Sequence, residues 1–416
     1  MSRSDVTIVG AGLSGLACAL RLHQSGISVS NLEASDGIGG RVRTDRMDGF
    51  LLDRGFQVFL TAYPEARQVL DYADLDFRPF YPGALVRFSG QFHRIGDPWR
   101  RPLDGIRSLF SPIGTFQDKV RAGRLRQQVR AGSLEDLFRR PESSTIDALH
   151  AAGFSEAMID RFFRPFIGGV FLDKNLEISS RMFEFVFRMF SLDDTALPSN
   201  GMGAIPEQLA SQLPEGTVQT NAPVVKVQEG GVTLESGEEI RSRAVVIATE
   251  GPETERLLGE KKRSAMRGVT CLYFAFSEPP FSEPILFLDG DGKGPVINLC
   301  VPSQVAPSYA PPDMSLISAT VLGCSEDADK HLEAAVRSQL AEWFGRAIQD
   351  WRHLRTYRIR HALPMQVPPV SEPFSQPVRI HPWLFVCGDY RSVASIQWAL
   401  VSGRRAADAI IEAFSR

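Results

Sequence analysis

The run Gly10-Ala11-Gly12-Leu13-Ser14-Gly15 spaces three glycines as a dinucleotide phosphate requires, and Glu33 stands at the end of the next strand-like segment. Gly10 permits a tight turn from strand to helix, Gly12 keeps a Cβ away from an approaching pyrophosphate, and Gly15 lets helix and strand pack closely. A carboxylate at Glu33 can accept hydrogen bonds from both hydroxyls of an adenosine ribose. A second cluster, Gly39-Gly40-Arg41, offers backbone N–H groups and a permanently charged guanidinium to phosphate oxygens. Arg43 beside it reads first as a solvated or carboxylate-paired arginine that could assist. Far downstream, Gly388-Asp389 closes an apolar run, and Ser395-Ile396-Gln397-Trp398 follows at the start of a helical pattern.

These residues need elements to carry them. Val6-Thr7-Ile8-Val9 reads as a buried parallel strand, Leu13 to Gln24 as a helix that Gly26 stops, and Ile27 to Leu32 as a second strand. The helix directs free N–H groups and the positive end of its dipole at the phosphates. Asn31 is an oddity, a polar residue in a strand that should be buried. Between Pro223 and Thr249 the pattern is strand, hairpin and buried strand, and Leu384 to Cys387 forms another buried strand. The predicted fold class is α/β, a Rossmann-like nucleotide domain interleaved with an α+β substrate domain.

The stretch from Val6 to Thr44 resembles the N-terminal signature of the flavin-containing amine oxidase superfamily, which also holds protoporphyrinogen oxidases and carotenoid desaturases. The resemblance implies FAD as cofactor and a nucleotide domain of the glutathione-reductase type. It assigns the adenosine and pyrophosphate end to Gly10, Gly12, Leu13, Ser14, Gly15, Glu33, Ala34, Gly39, Gly40 and Arg41. It further implies that Val225 presents backbone to the adenine, Thr249 ends a strand near the cofactor, and Gly388-Asp389 bind the ribityl-phosphate arm. The helix starting at Ser395 and Ile396 would aim its N-terminus at the flavin pyrimidine edge, where reduction places negative charge. The expected division is residues 1–62, 201–269 and 362–416 for FAD, and 63–200 and 270–361 for substrate. Ala394 and Trp398 depart from the glycines of many relatives. Trp398 belongs either beside the flavin, reshaping the pocket, or in the core.

Catalysis is expected to come from the flavin, whose N5 accepts a hydride, so no protein nucleophile is required. Amine oxidases of the superfamily often add a lysine near N5, and Lys293 matches by rough position. It sits in Asp289-Gly290-Asp291-Gly292-Lys293-Gly294-Pro295, which reads as an exposed hairpin tip, and the expectation is against it. Tyr357, Tyr390, His361 and Trp398 are pocket candidates. The expected reaction is hydride abstraction from a hydrophobic small molecule, with dioxygen or a quinone as acceptor. A true amine oxidase releasing peroxide and a non-oxidative flavoprotein or isomerase with structural FAD are the alternatives.

Composition bounds these readings. A net charge of -3 with pI near 6.2 gives no reason to expect nucleic acid as a partner. The seven histidines show no ligand spacing, so no metal is expected. Five cysteines without a CxxC pair read as buried reduced thiols, and no apolar run reaches the ~18 residues of a membrane span. A cytoplasmic location is expected, because cleaving the N-terminal segment as a signal peptide would destroy the nucleotide site. With 27 phenylalanines against 7 tyrosines, either a well-filled core or a greasy substrate lining is implied. Residues 94–140 carry 11 basic against 5 acidic residues among apolar ones. Such a stretch could rest peripherally on an anionic bilayer, a solvated helix face being the alternative.

Overall fold

The computed structural model describes residues 4–261, 264–277, 281–324, 329–370 and 376–415. A six-stranded sheet orders Val218–Gln219, Val29–Leu32, Val6–Val9, Ala244–Ile247, Leu384–Val386 and Arg379–His381. All pairings are parallel except the last. Parallel sheets are covered on both faces, which explains the unbroken apolar character of Ala244–Ile247. Helices Leu13–Gln24 and Ile396–Ser415 cover one face with their apolar stripes. The backbones of these helices touch, since a Cβ on Gly403 would lie 2.1 Å from the carbonyl oxygen of Ser14. The opposite face packs on the strands Val224–Gln228, Gly231–Leu234 and Glu239–Arg241.

Asn31 is fully buried in this sheet, in register between Ile8 and Val218. Its amide oxygen and nitrogen have no hydrogen-bond partner among the described residues. A buried amide so placed costs about 1–3 kcal/mol, and nothing in the structure explains its presence.

A second sheet of seven strands runs Arg352–Pro364, Met266–Phe276, Ser315–Leu322, Val296–Cys300, Leu286–Asp289, Gly83–Phe88 and Gln91–Gly96. Side chains alternate along Met266–Phe276, as the two-residue period of a strand demands. Leu272, Phe274 and Phe276 join a core that includes Leu340 and Trp343 of the helix Asp329–Phe344. Cys271, Tyr273 and Ala275 join the large core shared with the nucleotide-type sheet. Helices Phe116–Arg130, Arg164–Phe171 and Ser180–Leu192 complete that core from the side.

Asp53 ties these parts together. Its carboxylate accepts hydrogen bonds from the Thr44 hydroxyl (2.5 Å), the Met202 amide (2.9 Å) and the Tyr309 hydroxyl (2.8 Å). Burial pushes its pKa up to about 6, and the three donors oppose that rise without cancelling it.

Candidate active site

Each glycine of the first cluster has its own reason. Gly10 has φ +103°, and a Cβ there would lie 2.9 Å from the Ala248 carbonyl oxygen. A Cβ on Gly15 would fall 2.0 Å from the Gly10 carbonyl oxygen, so only glycine lets the helix sit this low on the strand. A Cβ on Gly12 would meet nothing within 4 Å, because that position faces open cavity. Gly12 caps the helix Leu13–Gln24 without a side chain, leaving the first-turn N–H groups for an anion.

The second cluster is stitched to the first, for the Gly39 amide donates to the Ala11 carbonyl at 2.8 Å. Glu33 is fixed at the strand end by donors from the Ala11 amide (2.8 Å), the Ser35 amide (2.9 Å) and the Ser35 hydroxyl (2.7 Å). Arg41 donates to Asp389 Oδ1 at 2.6 Å and to the Ala362 carbonyl at 3.0 Å. Burial alone would lower the Arg41 pKa; the Asp389 carboxylate beside it reverses this and raises it. Two groups more than three hundred residues apart in sequence therefore meet as a charged pair. Arg43 pairs with Asp36 at 2.9 Å.

All of this opens into one cavity of about 2090 Å³. A single small-molecule site usually occupies ~300–1,000 Å³, so the space is large enough for a large cofactor and a second molecule. Gly10, Gly12, Leu13, Ser14, Glu33, Ala34, Gly39, Gly40, Arg41, Val225, Thr249, Gly388, Asp389, Ser395 and Ile396 all stand on its wall, as do Tyr357 and His361. Gly15 lies behind the wall in its packing role.

Three candidates fall elsewhere. Trp398 is buried against Phe138 and Phe185, with ring centroids 5.4 and 6.1 Å away, so the core reading replaces the flavin-side one. At 3.6 residues per turn, two steps beyond Ile396 turn a side chain to the far side of the helix. Tyr390 packs beneath Gly388, whose Cβ would come 2.5 Å from its ring, and burial pushes its hydroxyl up to about 12. Lys293 is exposed on the turn after Leu286–Asp289, beside a separate cavity of about 210 Å³.

Away from the glycines the wall becomes aromatic, with Phe56, Phe162, Phe166, Phe187 and Phe190 among its residues. Nine of the 27 phenylalanines line it, so core filling accounts for only part of the excess. At one end Trp99, Ile106, Leu109, Phe116 and Val120 both line the cavity and reach solvent. Tyr357 donates to Asp45 Oδ2 at 2.7 Å; burial first and Asp45 second raise its hydroxyl pKa. Sequence reasoning missed Arg256, which lines the cavity and donates to the Val224 carbonyl at 3.0 Å. It also missed the segment from Phe56 to Val58, together with Asn298 and Thr320. None carries a local motif.

Among the described residues no group of side chains could hold a metal ion, and no helix is long and apolar enough to cross a membrane. All five cysteines are free thiols, and only Cys324 is less than fully buried.

The profile of the flavin containing amine oxidoreductase family matches residues 13–411. Carotenoid phi-ring synthase of Streptomyces griseus is 26% identical over 463 aligned residues, covering 98% of this chain and 87% of that protein. Protoporphyrinogen oxidase 2 of Arabidopsis thaliana is 28% identical over 171 residues, 41% of this chain, and the match spans 33% of the plant protein's length. The fold is shared with cyclohexylamine oxidase of Brevibacterium oxydans at a TM-score of 0.74 and 18% identity, covering 100% of both chains.

Proposed function

Because the chain belongs to the flavin-containing amine oxidoreductase family and is an FAD-dependent oxidoreductase, we propose that its substrate is a hydrophobic small molecule, oxidised by two-electron hydride abstraction, with dioxygen or a quinone as final acceptor. The observation that carries this reading is the phenylalanine-lined extension of the cavity, continuous with the glycine-lined end. An apolar wall of that extent excludes water and accepts a greasy substrate.

The cradle fits FAD on the chain's own terms. The open space over Gly12 admits a pyrophosphate, and Glu33 is already oriented at the strand end. Glu33 would hold the ribose, the Gly12, Gly39 and Gly40 backbone with Arg41 the pyrophosphate, and Asp389 the ribityl arm. When bound, FAD supplies a two-electron acceptor. The remaining work belongs to the protein. The helix Ile396–Ser415 turns its N-terminus to the cavity, with Ile396 on the wall, and its positive dipole end would stabilise negative charge developing on a flavin bound against it. Gly403 seats that helix against Leu13–Gln24, so the dipole and the phosphate site are rigidly related.

The test is an anaerobic mixing experiment with the purified flavoprotein and a panel of carotenoids, porphyrinogens and amines. Bleaching of the flavin band by a lipophilic member and none of the amines is expected. Rapid bleaching with a primary or secondary amine, and peroxide on admitting air, would replace this reading by amine oxidation. Flavin that no member reduces would favour a non-oxidative role.

A specific feature supports peripheral contact with an anionic bilayer. Leu103, Phe110 and Phe116 are 75%, 86% and 62% exposed, Phe116 also lines the cavity, and Arg101, Arg107 and Arg124 of the same stretch of chain are exposed. Apolar side chains can enter the interface while the arginines meet lipid phosphates. Binding to phosphatidylserine-containing vesicles but not to pure phosphatidylcholine is expected, and Leu103→Asp with Phe110→Asp should abolish it. Equal recovery of wild type and variant with the vesicles would end this idea.

A further inference from the structure

Asn298 and Thr320 face each other on adjacent strands of the seven-stranded sheet, and both line the cavity. The register extends the pair into a row, Asn298, Thr320, Cys271 and Tyr357, across four strands. Two members of the row are engaged: Cys271 Sγ lies 3.1 Å from the Ser318 hydroxyl, and Tyr357 donates to Asp45. The other two are not. Asn298 is 4% and Thr320 3% exposed, yet Asn298 Oδ1 and Thr320 Oγ1 have no hydrogen-bond partner among the described residues. Natural proteins rarely leave such groups unpaired, because burial removes the water that would otherwise satisfy them. Gly169 on the helix Arg164–Phe171 makes room for the amide, since a Cβ there would lie 2.1 Å from Asn298 Nδ2.

We propose that Asn298 and Thr320 form a polar subsite that binds one neutral oxygen function, a hydroxyl or carbonyl, on an otherwise hydrophobic substrate; this rests on the hydrophobic reading above. The chemistry of the pair selects that class. An amide offers both donor and acceptor, and a hydroxyl does the same, so together they complement a group that itself donates or accepts. The row supplies no free countercharge: the Asp45 carboxylate at its edge is taken by Tyr357 and by Arg54 at 3.0 Å. An ammonium or carboxylate docked here would be desolvated without compensation. Sites built on such hydrogen bonds discriminate strongly against analogues that lack the bonding group.

The test compares decan-1-ol with undecane, which replaces the hydroxyl by a methyl group, as ligands of the FAD-loaded protein. Binding is read from the shift in thermal unfolding midpoint and from perturbation of the flavin absorption band. Asn298→Leu and Thr320→Val remove hydrogen bonding with little change in volume. Relative to wild type, the double variant should bind the alcohol about tenfold more weakly, while undecane binding holds or improves. Thr320→Val, the nearly isosteric change, should alone produce part of the loss. Unchanged alcohol affinity in the variants, or equal weakening of both ligands, would overturn the subsite and leave the hydrophobic reading standing. Failure of both ligands to bind wild type would overturn the two together.

Discussion

Replacing Gly12 and Gly15 separately by alanine should separate cofactor binding from folding. Gly12 has φ -72° and ψ 177°, extended backbone that alanine adopts freely, and its new Cβ would touch nothing in the protein. The stability of flavin-free Gly12→Ala should therefore stay within about 1 kcal/mol of wild type, the helix cap and chain entropy effects opposing each other. The same Cβ would stand in the space over the helix N-terminus. Loss of one charge-assisted hydrogen bond to phosphate costs about 1.5–3 kcal/mol, which is a ten- to roughly hundredfold weaker FAD dissociation constant. Gly15→Ala behaves oppositely. Its Cβ would lie 2.0 Å from backbone, the Gly10 carbonyl, which no rotamer change relieves. Overpacking of this kind costs about 1–3 kcal/mol and should lower the unfolding midpoint of the flavin-free protein. The assay pairs FAD titration by fluorescence quenching with thermal unfolding of the stripped protein. Wild-type FAD affinity in Gly12→Ala, or equal stability losses in both variants, would refute the assignment of phosphate approach to one glycine and helix packing to the other.

Other outcomes follow from the same geometry. Since the Asp53 pKa is raised from 3.8 to about 6 on folding, the native state holds a proton that the unfolded chain releases, so its stabilising contribution is full below pH 3.8 and lost as pH rises through 6. A shift of that size is worth roughly 3 kcal/mol, and Asp53→Asn should flatten the stability profile across that window in denaturant titrations. Lys293→Met should leave the rate of anaerobic flavin reduction unchanged; a large fall would return the lysine to the flavin. Trp398→Ala should destabilise by about 3–5 kcal/mol in urea unfolding, while a milder Trp398→Phe should leave the flavin spectrum as in wild type.

The legible parts of this protein are those in which a short stretch does a whole job. Gly10 to Gly15, Gly39 to Arg41 and Gly388-Asp389 each combine turn geometry and chemistry within a few residues, so residue type alone reveals them. Trp398 sits in a legible helix but needed its angular position: Ile396 and Ala399 line the cavity, whereas the two buried residues between them, Gln397 and Trp398, do not. Asn298 and Thr320 are invisible at the level of the chain. They meet only through the antiparallel register of two strands, with a bulge shifting the count between Val296 and Asn298. The parallel sheet hides its order similarly, for Val6–Val9 borders Val29–Leu32 on one side and Ala244–Ile247 on the other.

That strand order also governs how the protein can be made. Helix Leu13–Gln24 emerges early, yet the helix packed most closely on it, Ile396–Ser415, is synthesised far later, and Leu384–Val386 joins the sheet only just before it. Through most of translation the first helix has an uncovered apolar side, and Arg41 waits for Asp389. A product truncated before Leu384 would lack both the aspartate and the closing helix, and with them one wall of the cradle. Such late, long-range closure slows folding and exposes sticky intermediates. Supply of flavin should therefore limit the yield of folded protein in cells more than it limits the rate of synthesis.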